Sequence, residues 1–480
     1  MSKDAASHSA GVAFNDLDNS GISRFQLKIM FISGMGFFTD AYDLFVIGIV
    51  VYLIKPEWHL TTGQISWLNS ATLIASAFGA ILFGRIADML GRKRIYGYEV
   101  LILAIGAIAS AFSPNLLFLL VCRVVLGIGI GGDYPVSATI MSEYSGKRDR
   151  GKMVGLVFAM QGLGLVVGPL IAAGLLASGM SNDLTWRILL GIGAIPGLAV
   201  FYLRRQIHET PRFALAGGAV EEAQAAITAA MGASAREAAQ DLKVKPPQGT
   251  LEGFKDLMRN PRMLRWLIGT SAAWALMDFC YYGNSISTPE ILSLLKPHAA
   301  ELHNVLIQLA IFAVFALPGY FVAIALLDRT GRRAIQILGF VMMALAFLAI
   351  GLLPGVTKAV VPFVLLYGVS YFFTEFGPNT TTFVYPAEIF PVEVRTTGHG
   401  IAAGAGKVGA FIGAYLFPVF LASSLGMRGA MVIAGVVALA GAVVTAWLLP
   451  EPKGRSLEDL SEEARGADVR ASLRSKVEAA

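Results

Sequence analysis

Twelve long apolar runs alternate with polar breaks along the chain, at residues 27–54, 65–86, 95–113, 117–143, 152–178 and 185–203, then 263–287, 303–327, 333–353, 359–385, 396–424 and 428–449. A helix needs about 20 mostly apolar residues to cross the hydrocarbon core of a bilayer, and each run has that length and character. The runs form two sets of six. Between them lies a polar stretch, 204–262, with Arg204, Arg205, Arg212, Arg236, Lys243 and Lys245 and an alanine-rich segment expected to form an amphipathic surface helix. The pattern predicts an all-α membrane protein of twelve transmembrane helices in two six-helix pseudo-repeats, 26–203 and 263–450. A segment 1–25, the linker 204–262 and a tail 451–480 complete the division.

Composition agrees: of 480 residues 55% are hydrophobic and only 15% charged, which makes the lipid bilayer the natural solvent. The net charge of +5 does not point to nucleic acid, because the basic residues cluster in alternate loops. Arg92, Lys93 and Arg94 follow the second run, and Lys147, Arg148, Arg150 and Lys152 surround the end of the fourth. The loop after the third run, Ser113-Pro114-Asn115, has no positive charge. Positive loops stay on the cytoplasmic side, which predicts both termini inside and a plasma (inner) membrane location. The first 24 residues contain no early apolar core, so no secretory signal is expected. Cys122 and Cys280, both in apolar runs, support neither a disulfide framework nor a metal site.

The halves repeat one another. Asp88-x-x-Gly91-Arg92-Lys93-Arg94 after the second run is answered by Asp328-x-x-Gly331-Arg332-Arg333 after the eighth, and Glu143 with Arg150 is answered at the same spacing by Glu388 with Arg395. These eight charges, Asp88, Arg92, Glu143, Arg150, Asp328, Arg332, Glu388 and Arg395, are expected to latch the inner side of a carrier. Six-helix repeats of this kind place a substrate site near the membrane midplane between two rocking halves. The paired loops resemble those of the major facilitator superfamily over nearly the whole chain, and they and the ending Pro450-Glu451-Pro452-Lys453-Gly454-Arg455-Ser456 also resemble sugar porters.

An ionised side chain at the centre of a membrane helix costs about 2.5–3.5 kcal/mol on insertion scales, so each one inside a span is a functional candidate. Asp40 and Asp43 lie three apart in the first run and repel if both are ionised; one is expected to hold a proton. Arg123, in the fourth run, is the expected partner for one of them, and a static packing pair is the competing reading. Trp274, Asp278 and Tyr282 recur every fourth residue, which puts an indole, a carboxyl and a phenol on one face of the seventh helix. Gln161 is a lone amide in the fifth run, where inter-helix glue is an equal alternative. Asn379 follows Phe376-Gly377-Pro378, where a broken helix presents backbone and side-chain donors. Lys407 is the one lysine in the last five spans that an anion entering the cavity would meet, with Glu375 and Asp278 as alternative partners.

The glycine run Gly127, Gly129, Gly131 and Gly132 has no strand before it, so close helix packing is expected in place of a phosphate-cradling loop. His399 has no second histidine or cysteine beside it and reads as a helix-end residue; no metal and no cofactor are expected. No nucleophile, base and orienting group occur together, which argues against an enzyme.

Gly131-Gly132-Asp133-Tyr134-Pro135-Val136-Ser137-Ala138-Thr139 together with Phe376-Gly377-Pro378-Asn379-Thr380-Thr381-Thr382 closely resembles the phosphate:proton symporter family of fungi and plants. Phe37-Phe38-Thr39-Asp40-Ala41-Tyr42-Asp43, the Trp274/Asp278/Tyr282 triplet and Ala405-Gly406-Lys407-Val408-Gly409 strengthen the likeness. The resemblance implies proton-coupled uptake of inorganic phosphate by alternating access. It makes Tyr134, Gln161, Trp274, Asp278, Tyr282 and Asn379 phosphate contacts, Asp40, Asp43 and Asp133 candidates for the proton route, and Lys407 a charge partner. A functional monomer is expected. Glu375 departs from the pattern, because a neutral residue, commonly asparagine, is expected there. A symporter of a sugar or organic carboxylate is the first alternative, and a transporter-like nutrient receptor the second.

Overall fold

The computed structural model describes residues 15–19, 21–231, 250–296 and 299–466, and among them every regular element is helical. Residues 1–14, linker residues 232–249, with Arg236, Lys243 and Lys245, and the tail beyond 466 lie outside the described residues. Twelve long helices carry the fold. Those before the linker are α1 (Arg24–Ile54), α2 (Thr62–Leu90), α3 (Arg92–Ala111), α4 (Leu116–Tyr144), α5 (Arg150–Ala177) and α6 (Asn182–Arg204). After it come α7 (Pro261–Ile286), α8 (Glu301–Thr330), α9 (Arg332–Leu352), α10 (Val360–Ile389), α11 (Arg395–Ala422) and α12 (Gly426–Leu448).

Eleven of these are long and apolar enough to cross a membrane; α7 is long enough but too polar. The reason is its inward face, where Trp274, Asp278, Tyr281, Tyr282, Asn284 and Ser285 are all buried. A span turned toward the bundle interior does not need an apolar surface on that side.

Helix starts are set by local chemistry. Ser23 and Gln26 form a reciprocal capping box at α1, Thr61 and Gln64 another at α2, and the Asn260 side chain accepts from the first amides of α7. The repeated Asp-x-x-Gly-Arg motif also has a backbone cause. Gly91 and Gly331 stand at φ 99° and 102°, a region closed to most side chains, and so stop α2 and α8 and start the next helix immediately. Each turn brings the arginine back onto its aspartate, Arg92 to Asp88 at 3.0 Å and Arg332 to Asp328 at 2.7 Å.

The glycine run packs α4 into its neighbours as expected: a Cβ on Gly127 or Gly131 would strike the α2 carbonyls of Thr72 or Ser76, and one on Gly129 the α3 carbonyl of Glu99. The two halves meet chiefly along α2 and α11 and along α5 and α8. On the first seam Gly84 and Gly400 touch backbone to backbone, and a Cβ on either would lie 3.1–3.2 Å from the other's Cα.

In α10 the helix is broken. Gly377 leaves helical geometry (φ −106°, ψ −108°) just before Pro378, opening a wide turn at Glu375–Asn379. The loosened carbonyls are recaptured by the following residues: Thr380 donates to Glu375 O (2.6 Å), Thr381 to Gly377 O (2.9 Å) and Thr382 to Pro378 O (2.7 Å). Threonines in this run therefore keep a broken span free of orphaned acceptors.

Candidate functional site

Five of the sequence-predicted substrate residues meet midway along the bundle, where the halves face each other. Trp274, Asp278 and Tyr282 on α7 approach Tyr134 on α4 and Lys407 on α11, and all five are at most 1% exposed. The Lys407 ammonium donates to Asp278 Oδ2 (3.2 Å) and to the Tyr282 hydroxyl (2.8 Å), and it lies 4.4 Å and 4.3 Å from the ring centres of Tyr134 and Tyr282. The cation is thus held by one carboxylate and two aromatic faces. Tyr134 OH and Tyr282 OH are 3.5 Å apart, bridging the halves.

Aromatic rings seal this cluster. Phe45 of α1 stacks on Tyr282 at 5.2 Å and 11°. Phe383 of α10 stacks on Phe158 of α5 at 4.5 Å and meets Phe37 of α1 edge-on at 4.9 Å. His399 is buried in the first turn of α11, bonded to Phe383 O at 3.1 Å and edge-on to Trp274 at 5.5 Å. It is a helix-end residue as expected, and it also forms part of the wall behind the indole.

Gln161 and Asn379 are also buried, each 2% exposed. The Gln161 amide is buried with no hydrogen-bond partner for either atom. An unpaired buried amide is costly. Asn379 donates to Tyr320 OH at 2.9 Å and, in a closer contact, to Glu375.

The carboxylates expected to carry protons share no hydrogen bond with one another. All four carboxyl oxygens of Asp40 and Asp43 are buried without a hydrogen bond. Arg123 does not bond to either carboxylate: it donates to the main-chain carbonyl of Asp43 at 2.7 Å and to Thr72 at 2.9 Å. The Asp43 side chain is turned instead toward α6, where a Cβ on Gly193 would collide with Oδ1. Asp133 is bonded to Ser137 at 2.5 Å and Arg204 at 2.8 Å. Arg204 also holds Glu99 at 2.8 Å and lies 4.4 Å from the Tyr96 ring centre. Sequence reasoning missed Glu99 and Arg204, because both sit at the edges of apolar runs, where a charge reads as a loop residue.

The charges expected to form a latch gather at the end of the bundle that carries both described termini. Glu143 is their hub: Arg395 of the other half reaches it at 3.0 Å, Arg92 at 3.4 Å and Thr210 at 2.6 Å. Asp88 accepts from the Thr397 amide (2.6 Å) and hydroxyl (2.7 Å) across the seam, and Arg92 donates to Val392 O at 2.9 Å. In the second half Arg332 binds Glu388 and Asp328, each at 2.7 Å, and Asp328 accepts from the Lys152 amide at 2.8 Å. Arg150 turns outward to Asp18 at 3.1 Å and Arg455 O at 3.1 Å. Arg212 extends this clasp from Asp18, at 2.9 Å, to Glu458, at 2.9 Å. Burial opposes ionisation of Glu458, yet the Arg212 guanidinium overrides it and holds the carboxyl down at about 2.

The opposite end is looser. A cavity of about 540 Å³ opens there between the end of α1, α2 and the region after α7, lined by Tyr52, Lys55, His59, Asn69, Ser287 and Glu290 among others. A half-exposed pair, Lys55 to Glu290 at 3.0 Å, spans it. The sealed centre, a buried charge network at one end and a cavity at the other describe a bundle closed toward its described termini.

Comparison with known proteins agrees with this architecture. The sequence profile described as sugar (and other) transporter matches residues 29–464. The probable inorganic phosphate transporter 1-6 of Arabidopsis thaliana is 35% identical, covering 97% of this chain and 99% of its own. Inorganic phosphate transporter 1-6 of Oryza sativa subsp. japonica is also 35% identical, over 94% and 95%. The chain belongs to the major facilitator superfamily and, within it, to the phosphate:proton symporter family. Among solved structures the transporter is similar to the proton:xylose symporter XylE bound to 6-bromo-6-deoxy-D-glucose, with a TM-score of 0.78, 21% identity and coverage of 92% of this chain and 99% of that one. A partially occluded inward-open form of the xylose transporter from E. coli gives a TM-score of 0.71 at the same identity. At that identity the likeness is one of fold, and the cargo has to come from the site.

Proposed function

We propose that this transporter carries inorganic phosphate into the cell together with protons, by alternating access of the buried midpoint site. The observation that carries the reading is the Lys407 ammonium, held between Asp278 and two tyrosines where the halves meet, in a chain whose relatives are named inorganic phosphate transporters. Lys407 supplies the counter-charge for an oxyanion, and Tyr134, Tyr282, Trp274, Gln161 and Asn379 supply donors around it. Asp40, Asp43 and Asp133 take the protons. The described termini and the latch face the cytoplasm of a plasma (inner) membrane, as the positive loops require. The halves 26–203 and 263–450 rock as two bodies within one monomer.

Purified protein in liposomes tests the reading. An imposed inward pH gradient should drive accumulation of labelled phosphate above its outside level, with dissipation of the gradient abolishing it. Excess xylose or a monocarboxylate should leave uptake unchanged; competition by either would transfer the cargo to that class.

The latch gives a second expectation. Glu143→Ala removes the hub shared by Arg92 and Arg395, and Asp88→Ala removes the carboxylate that grips Thr397 across the seam. Breaking one partner of a buried ion pair costs about 3–5 kcal/mol, and here much of that loss falls on the conformer closed toward the cytoplasm. Cysteines introduced into the central site should become several-fold more reactive toward a cytoplasmic thiol reagent in both variants. Unchanged labelling in both would remove the latch role from these residues.

A further inference from the structure

The acid at 375 is the one site feature that the phosphate reading does not use, and it touches a residue that the reading needs. Asn379 has two amide hydrogens. One goes to Tyr320 OH at 2.9 Å and the other to the Glu375 carboxylate, so neither is free to meet an anion. Glu375 is fully buried in the wide turn of α10, and its second oxygen accepts no hydrogen bond. Around it, α7 presents Tyr281 and Asp278, α8 presents Tyr320 and the backbone at Gly319, and α10 itself adds Tyr371. From α9 come the backbone of Gly339 and the Met343 sulfur, which accepts from Thr374 at 2.8 Å. The cation in reach of this half of the site, Lys407 of α11, is bonded to Asp278 and Tyr282, and Arg332 of α9 is spent on Glu388 and Asp328. With both acids ionised the C-terminal side of the site therefore holds two carboxylates against one ammonium before any phosphate arrives.

Resting on the phosphate reading, we propose that Glu375 is a positioning residue that controls Asn379: as a carboxylate it holds the amide by a charge-assisted bond, and as a carboxylic acid, left with a weaker neutral acceptor, it yields the amide to phosphate. The acid then has a proton to donate, and the charge it loses is the charge the phosphate brings. A proton from the water phase on the side the site faces moves onto Glu375 as phosphate binds, and it leaves to water on the other side as phosphate departs. This couples one proton to the anion within the C-terminal half, separately from the aspartates of α1. The wide turn suits the task, because Gly377 and Pro378 leave the segment free of regular helix bonding, so the Asn379 amide can swing without unwinding a rigid span.

Exchange of labelled phosphate, with equal phosphate and equal pH on both sides of the liposome, isolates binding from driving force. For the wild type, the half-saturating phosphate concentration should rise about tenfold or more between about pH 5.5 and about pH 8, as the competing carboxylate forms. Glu375→Gln keeps an acceptor for Asn379 but carries no charge at any pH. Its half-saturating concentration should show a clearly shallower pH profile, limited to phosphate's own titration, which both proteins share. Glu375→Asn is the second neutral variant and carries the same test if the glutamine protein does not fold. If wild type and neutral variant show the same pH profile, the role of Glu375 is overturned while the phosphate reading stands. If the wild type exchanges no phosphate at any pH, the phosphate reading fails first.

Discussion

Asp278→Asn is expected to insert and fold, to go on binding phosphate, and to lose uptake by about tenfold or more. Asp278 accepts the Lys407 ammonium at 3.2 Å in a position without solvent, so the pair is fully desolvated. Asparagine still offers an oxygen to the ammonium but no countercharge. Losing one partner of such a pair typically costs about 3–5 kcal/mol, because the other charge is left uncompensated. In the variant the phosphate itself becomes the countercharge for Lys407. Binding is then retained or tightened, and release to the cytoplasm, where Asp278 would reclaim the lysine, becomes the slow step. Uptake per reconstituted protein and the phosphate-induced rise in melting temperature measure the two halves of this expectation. Lys407→Met should lose the phosphate-induced rise itself. Normal uptake by a well-expressed Asp278→Asn protein would remove this residue from the site, and a lost thermal response with lost uptake would make it a contact instead of a release group.

Proton coupling should separate from phosphate movement at the aspartates of α1. The carboxyls of Asp40 and Asp43 are buried with no hydrogen bond to any of their oxygens, and Arg123 spends itself on a main-chain carbonyl and on Thr72. Ionised carboxylates so placed are expensive, so a proton on one of them stabilises the closed bundle and must be given up when water reaches the site. That ties protonation to the side the carrier faces. Asp40→Asn and Asp43→Asn, made singly, should lose the part of pH-driven accumulation that the α1 aspartates carry, beyond any proton coupled through Glu375, while at least one keeps phosphate counterflow, which needs no net proton movement. Undiminished uphill uptake by both variants under a pH gradient would place the route elsewhere, with Asp133 or Glu375 next to be tested.

Much of this architecture is legible in the apolar runs, since a span must be long and apolar whatever its neighbours are. The least apolar span is the instructive one: α7 was readable from its length, and its polar residues at every fourth position marked the site for the same reason that they lowered its apolarity. The repeat motif marked charges that the structure gathers at one end of the bundle, and Gly91 and Gly331 explain its spacing. Their partners were not readable. Arg150 pairs with Asp18, and Glu143 with Arg395 of the other half, because pairing at a helix end is decided by which chains converge there in space. The same limit hid the Glu99–Arg204–Asp133 group, whose members come from three helices and meet only after packing. Glu375, by contrast, was visible as an acid where a neutral residue was expected, but its hold on Asn379 needed the broken turn to be seen.

The contact of Gly84 with Gly400 bears on how such a carrier turns over. Interlocked side chains along a seam have to change rotamers whenever the seam shears, and each change adds to the barrier of the stroke. Bare backbone has nothing to unlock, so at the Gly84–Gly400 contact the seam can shear without a rotamer change. The same smoothness gives that contact no preference for where it stops. Direction is consequently left to the charged ends, and the protein separates the part that lets it move from the parts that tell it which way to face.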